Sequence, residues 1–118
     1  MAHVHNDRVL FTIGNNGYRP CKEDCPWKAL KGAVNDSHSI RNHARSAGWL
    51  VIPAQNVSNC DLMRHLAEQA SYEITRTTSV VCFHYSGHCE DKDGATYLIP
   101  CDPQPQARTW RYCRSKLI

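Results

Sequence analysis

Val80-Val81-Cys82-Phe83-His84-Tyr85-Ser86-Gly87-His88 runs an apolar segment straight into a small, polar turn that bears a histidine. A strand of a parallel sheet reads this way when helices cover both of its faces. In open α/β sheets, ligands bind beyond the carboxyl ends of such strands. The stretch therefore predicts a strand over Thr77–Tyr85, buried on both faces, that delivers His88 into a site. Cys82 falls inside the run and reads as a small buried hydrophobe.

Working outward, Arg8–Ile13 is a second apolar segment and reads as the first strand, ended by Gly14. Asn15–Pro26 is rich in Asn, Gly, Pro and charge, which predicts a loop. Leu30–Ala47 reads as a helix with Ala33, Ile40, Ala44 and Ala47 on its apolar face and Gly48 as its stop. Trp49–Ile52 is a short strand closed by Pro53. Ser58-Asn59-Cys60-Asp61 reads as a capping box that opens a second helix. Leu62, Leu66, Ala70 and Ile74 form that helix's apolar stripe. Asp93-Gly94 is a turn signal, Thr96–Ile99 a short extended segment, and Pro100–Gln106 a proline-rich loop. Strand–helix–strand–helix–strand predicts an α/β fold with a mostly parallel sheet and right-handed crossovers.

Composition narrows the classes. The 118 residues suit one domain, and 42% hydrophobic with 21% charged residues describes a folded chain. A net charge of +3 is too small to argue for a nucleic-acid partner. Arg108, Arg111, Arg114 and Lys116 read as a solvated basic tail. Met1–Asp7 lacks the apolar core of a secretory signal, and no apolar run approaches the ~20 residues of a membrane helix. The expectation is a cytoplasmic protein without membrane contact, in which the seven cysteines are reduced thiols.

Three blocks carry a resemblance. Arg8-Val9-Leu10-Phe11-Thr12-Ile13-Gly14-Asn15, followed by Tyr18, resembles the first strand of the caspase-like cysteine peptidases (peptidase C14). Leu30-Lys31-Gly32-Ala33-Val34-Asn35-Asp36 is similar to the opening of their first helix. His84-Tyr85-Ser86-Gly87-His88, with Asp93-Gly94 and Tyr97-Leu98-Ile99-Pro100-Cys101-Asp102, resembles their catalytic-histidine segment. The wording around Tyr85 is closer to metacaspases and paracaspases than to animal caspases. The resemblance spans residues 8–102, the N-terminal part of a caspase p20-type domain. Residues 103–118 are a basic tail or the start of a further element. The implied fold is a three-layer α/β/α sandwich, here truncated before the last core strands.

The resemblance implies a cysteine endopeptidase acting on peptide or protein substrates, with His88 as the catalytic histidine. Such a histidine takes the proton of a thiol and later hands one to the leaving amine. Ser86 and Gly87 would line the substrate groove, and the backbone N–H at position 89 would help form the oxyanion hole. The family has glycine there and this chain has Cys89. If the turn needs positive φ, a cysteine costs about 1–2 kcal/mol and tilts the N–H, so an impaired hole is expected. Asp36 reads as a helix-start residue.

In caspases the cysteine nucleophile follows the histidine by about 50 residues, which falls past Ile118. Cys101 and Cys113 stand in the wrong context to replace it. The chain alone is therefore expected to be inactive. One reading makes it the histidine half of an endopeptidase that needs a cysteine-bearing half. The alternative is a non-catalytic, pseudo-caspase module that pairs with a full-length relative through an exposed sheet edge. Specificity for Asp or for Arg and Lys stays open. No metal site or cofactor is expected: Cys21 and Cys25 lie in a loop, and His84 and His88 straddle a strand–turn boundary.

Overall fold

The computed structural model describes residues 5–19, 27–102, 105–106, 109–110 and 113–114. Strand β1 (His5–Gly14) leads to helix α1 (Ala33–Ser46), strand β2 (Trp49–Gln55), helix α2 (Cys60–Ser71) and strand β3 (Val80–Ser86). The three strands form a parallel sheet in the order β2-β1-β3. Strand β1 alternates cleanly. Val9, Phe11 and Ile13 face α2, where Phe11 and Ile13 join Val57, Met63, Ala67, Ala70 and Leu98 in the main core. Thr12 faces α1 and meets Ser37 across that layer. The result is the three-layer α/β/α arrangement expected. The chain leaves β1 toward one side of the sheet and later crosses to the other, so two crossovers of one hand place α1 and α2 on opposite faces.

Strand β3 departs from its expected burial. It begins at Val80, and Val80 and Val81 are 43% and 40% exposed, with Cys82 exposed beside them. An apolar run signals a buried environment, but in the sheet order β3 is an edge strand. Only its second half, from Phe83 to Ser86, is partly covered. Strand β2 is the opposite edge and runs through Pro53, which pairs with Thr12. Proline is tolerated there because an edge strand can turn its missing N–H toward solvent.

The helices are capped with one change from the expected pattern. Asn59, not Ser58, is the N-cap of α2, and its Oδ1 accepts the Leu62 N–H at 2.7 Å. The face that packs is Met63, Ala67 and Ala70, while Leu62 and Ile74 are each 39% exposed. Helix α1 starts at Ala33, three residues later than expected, and Gly48 (φ 84°) follows its end.

Beyond the sheet, strands β4 (Cys89–Lys92) and β5 (Ala95–Leu98) form an antiparallel hairpin that sequence reading found only in its turn and second half. Asp93 (φ 52°) and Gly94 (φ 78°) both adopt left-handed backbone, the requirement of a two-residue turn matched to strand twist. Short strands β6 (Pro105–Gln106) and β7 (Thr109–Trp110) pair with each other inside the expected proline-rich loop and tail. Strand β8 (Cys113–Arg114) pairs with β5 at Leu98 and Tyr97. Cys21 and Cys25 lie outside the described residues.

Candidate functional site

The strand order reverses between β1 and β3, and in open α/β sheets the ligand crevice lies beyond the carboxyl ends of the strands at such a switch point. Asn15 continues from β1, and its backbone N–H donates to the Ser86 carbonyl at 2.8 Å. Gly87 and His88 continue from β3 into that crevice. A second, smaller core of Tyr18, Trp27 and Ile99, with Leu30 packed on it, forms beside the sheet.

His88 stands against this small core. Its Nε2 lies 2.7 Å from the Lys28 carbonyl oxygen. A carbonyl can only accept, so Nε2 carries the hydrogen and Nδ1 of the neutral ring is left as the acceptor. Lys28 is fixed by its neighbours: Trp27 is buried, and the Leu30 N–H donates to the Asn16 carbonyl at 2.9 Å. The Tyr18 ring meets the imidazole edge-on, with centroids 4.6 Å apart.

Ser86 and His84 face α1. Ser86 Oγ donates to Asp36 Oδ2 at 3.2 Å, and Asp36 lies in the first turn of α1. Asp36 is the helix-start residue expected, and its exposed carboxylate also reaches Ser86. His84 Nδ1 is 2.8 Å from Thr12 Oγ1, which is 2.9 Å from Ser37 Oγ. This polar chain joins the sheet to α1 and stands apart from the His88 ring.

Gly87 is required by close approach. A Cβ there would meet Tyr85 Oη at 2.6 Å and Tyr18 Oη at 2.8 Å. Cys89 opens β4 in backbone without positive φ, so the strain that would have tilted its N–H is not present. The Ile99 N–H donates to the His88 carbonyl at 3.0 Å. Alternation along an antiparallel ladder then makes Cys89/Leu98 a non-hydrogen-bonded pair, with the Cys89 N–H turned away from β5.

The caspase-domain family (peptidase C14) matches residues 7–118, nearly the whole chain. The chain belongs to the caspase-domain family. Caspase domains act on protein substrates, and this is a caspase-like peptidase domain. No curated protein matches it significantly.

Within this caspase-like domain, the structure brings together Ser86, Gly87, His88 and the Cys89 N–H along one strand end. It adds Lys28, Tyr18 and Asp36, which arrive from other segments. Of the cysteines, Cys101 is buried and its thiol is pushed up to about 11 by burial. Cys82 and Cys89 are exposed thiols. Among the described residues no thiol is hydrogen-bonded to the His88 ring, and no group of three His, Cys, Asp or Glu side chains converges as a metal site would require. No helix among them is long and apolar enough to cross a membrane.

Proposed function

We propose that this chain supplies the general-base histidine of a caspase-type cysteine endopeptidase, and that the thiol comes from polypeptide outside these 118 residues. The observation that carries the reading is the His88 Nε2–H bond to the Lys28 carbonyl, which leaves Nδ1 as the free base. In this scheme Nδ1 takes the thiol proton and the thiolate attacks the scissile carbonyl. The Cys89 N–H donates to the tetrahedral oxyanion. His88 then returns its proton to the leaving amine, and water hydrolyses the acyl-enzyme by the same route. Among the described residues no thiol is hydrogen-bonded to the His88 ring, so in this scheme the chain alone is inactive.

The Asp36 carboxylate is exposed, held by Ser86 two residues before His88. A carboxylate in that place favours a cationic side chain, so Lys or Arg is the substrate residue this wall suits.

Complementation tests the reading. The chain is mixed with a caspase-like segment that bears the cysteine, and peptides ending in Arg, Lys or Asp are offered. Cleavage that is lost with His88→Ala supports the proposal. Binding without cleavage favours the second reading, a pairing module without chemistry. That reading has its own observation. The β3 edge exposes Val80 and Val81 beside an apolar cavity of about 210 Å³ lined by Val9, Phe11, Ala67, Ala70, Ile74 and Val81.

A further inference from the structure

Two tyrosines far apart in the chain converge on the peptide groups of one histidine. Tyr18 leaves the loop after β1, and Tyr85 sits near the end of β3. The His88 N–H donates to Tyr18 Oη at 2.8 Å. The Tyr85 hydroxyl donates to the His88 carbonyl at 2.8 Å. The two phenol oxygens are 3.1 Å apart, and each is 2.9 Å from the Ile99 carbonyl.

The protons distribute consistently. Tyr85 gives its hydrogen to His88, the shorter of its two carbonyl contacts. Tyr18 gives its own to Ile99 and accepts from the His88 N–H. Burial favours the neutral phenols, so both hydrogens stay in place at ordinary pH. Neither side chain bonds the imidazole nitrogens. Both peptide groups that flank the His88 Cα are nevertheless held, and the Tyr18 ring edge stops the imidazole on one side. Lys28 holds the remaining point, at Nε2.

We infer that Tyr18 and Tyr85 are positioning residues, a phenol clamp on the His88 backbone that sets where the imidazole presents Nδ1. The inference rests on the reading of His88 as a general base for its consequence in catalysis. The clamp itself is geometric and can be read without any turnover. A reacting base must be held close to its productive geometry, because a misplacement of about 1 Å costs up to about a hundredfold in rate. A backbone gripped from both sides removes the main freedom that would allow such a shift.

The test uses the 118-residue chain with ¹⁵N-labelled histidine. In the unsubstituted protein, the His88 backbone amide exchanges slowly with solvent and its Nε2–H gives an observable signal. Tyr18→Phe keeps the ring edge and removes the oxygen. The expected result is loss of amide protection and exchange broadening of the Nε2–H signal. Tyr85→Phe is expected to broaden the Nε2–H signal as well. In the complemented assembly each variant lowers kcat by about tenfold or more with KM unchanged. A folded Tyr18→Phe with both His88 signals unaltered overturns the inference. Should that variant not fold, the unsubstituted chain decides: a His88 amide that exchanges like an unstructured peptide overturns the clamp, and protection supports it. Expected NMR changes without any cleavage in the complemented assembly would remove the endopeptidase reading and leave the clamp standing.

Discussion

Gly87 and Tyr85 stand so close that a single methyl group on Gly87 would lie 2.6 Å from the Tyr85 phenol oxygen. The second phenol, of Tyr18, would be met at 2.8 Å, so neither ring can yield without disturbing the other. Gly87→Ala is therefore expected to destabilise the fold by about 1–3 kcal/mol, the usual cost of overpacking. Urea unfolding checks it. A variant as stable as the parent would show that the phenols move freely.

Cys89→Gly is expected to leave turnover of the complemented assembly unchanged. Cys89 does not adopt positive φ, so glycine relieves no backbone strain there. A large rise in kcat would show that the cysteine does misdirect its N–H.

Thr12→Val removes the hydroxyl that joins Ser37 to His84. Thr12 is fully buried and Ser37 is 3% exposed, so Ser37 would lose a partner out of reach of water. The expected loss is about 1–3 kcal/mol. Adding Ser37→Ala removes the stranded hydroxyl, and the double variant is expected to be more stable than Thr12→Val alone. Denaturant midpoints for the two proteins decide the matter.

Stability is expected to fall in alkali. Burial raises the Cys101 thiol from 9.0 to about 11. Burial also raises the phenols of Tyr18 and Tyr85 above their ordinary 10.0. The unfolded chain ionises these acids first and so binds fewer protons than the folded one as pH rises through that window. Their stabilising contribution is full below the unfolded values and is lost on going up through the folded ones. The melting temperature should decline between pH 9.0 and about 11, the interval set by Cys101. Tyr85→Phe should make the decline shallower, and an identical slope would count against a buried Tyr85 hydroxyl.

The described thiols should separate by reactivity. Cys82 and Cys89 are exposed, whereas Cys101 is buried with its thiol held neutral. Brief alkylation of the native chain followed by peptide mass analysis is expected to modify the first two and spare Cys101. Labelling of Cys101 at the same rate would contradict its burial.

Much of the architecture could be read from residue order. The apolar segments at Arg8–Ile13 and Trp49–Ile52 became strands, and the alternation of β1 follows directly from its sequence. Other features were hidden for physical reasons. Exposure of Val80 and Val81 depends on which strand sits at the sheet's edge, a property of topology that a local apolar run does not encode. Helix α2 packs through Met63, Ala67 and Ala70 because a strict four-residue repeat drifts about 40° per step around a helix. Leu62 therefore falls to one side of the buried face, and Ile74 lies beyond the helix, which ends at Ser71. At the candidate site, His88 with its neighbours was visible as a motif. The Lys28 contribution was not, because any residue offers the same backbone carbonyl. The meeting of Tyr18 with His88 spans 70 positions and leaves no local pattern.

The two margins of the parallel sheet differ in what they permit. Pro53 interrupts the row of donors on β2, while β3 presents an unbroken backbone from Val80 to Ser86. Only one margin is thus a good template for another strand. A newcomer there can lengthen the sheet, but a second copy of this chain that docks through its own β3 uses up the receptive margin of the parallel sheet in both molecules. Pairing through that sheet ends at two, so the proline limits how far the parallel sheet can be extended by added strands.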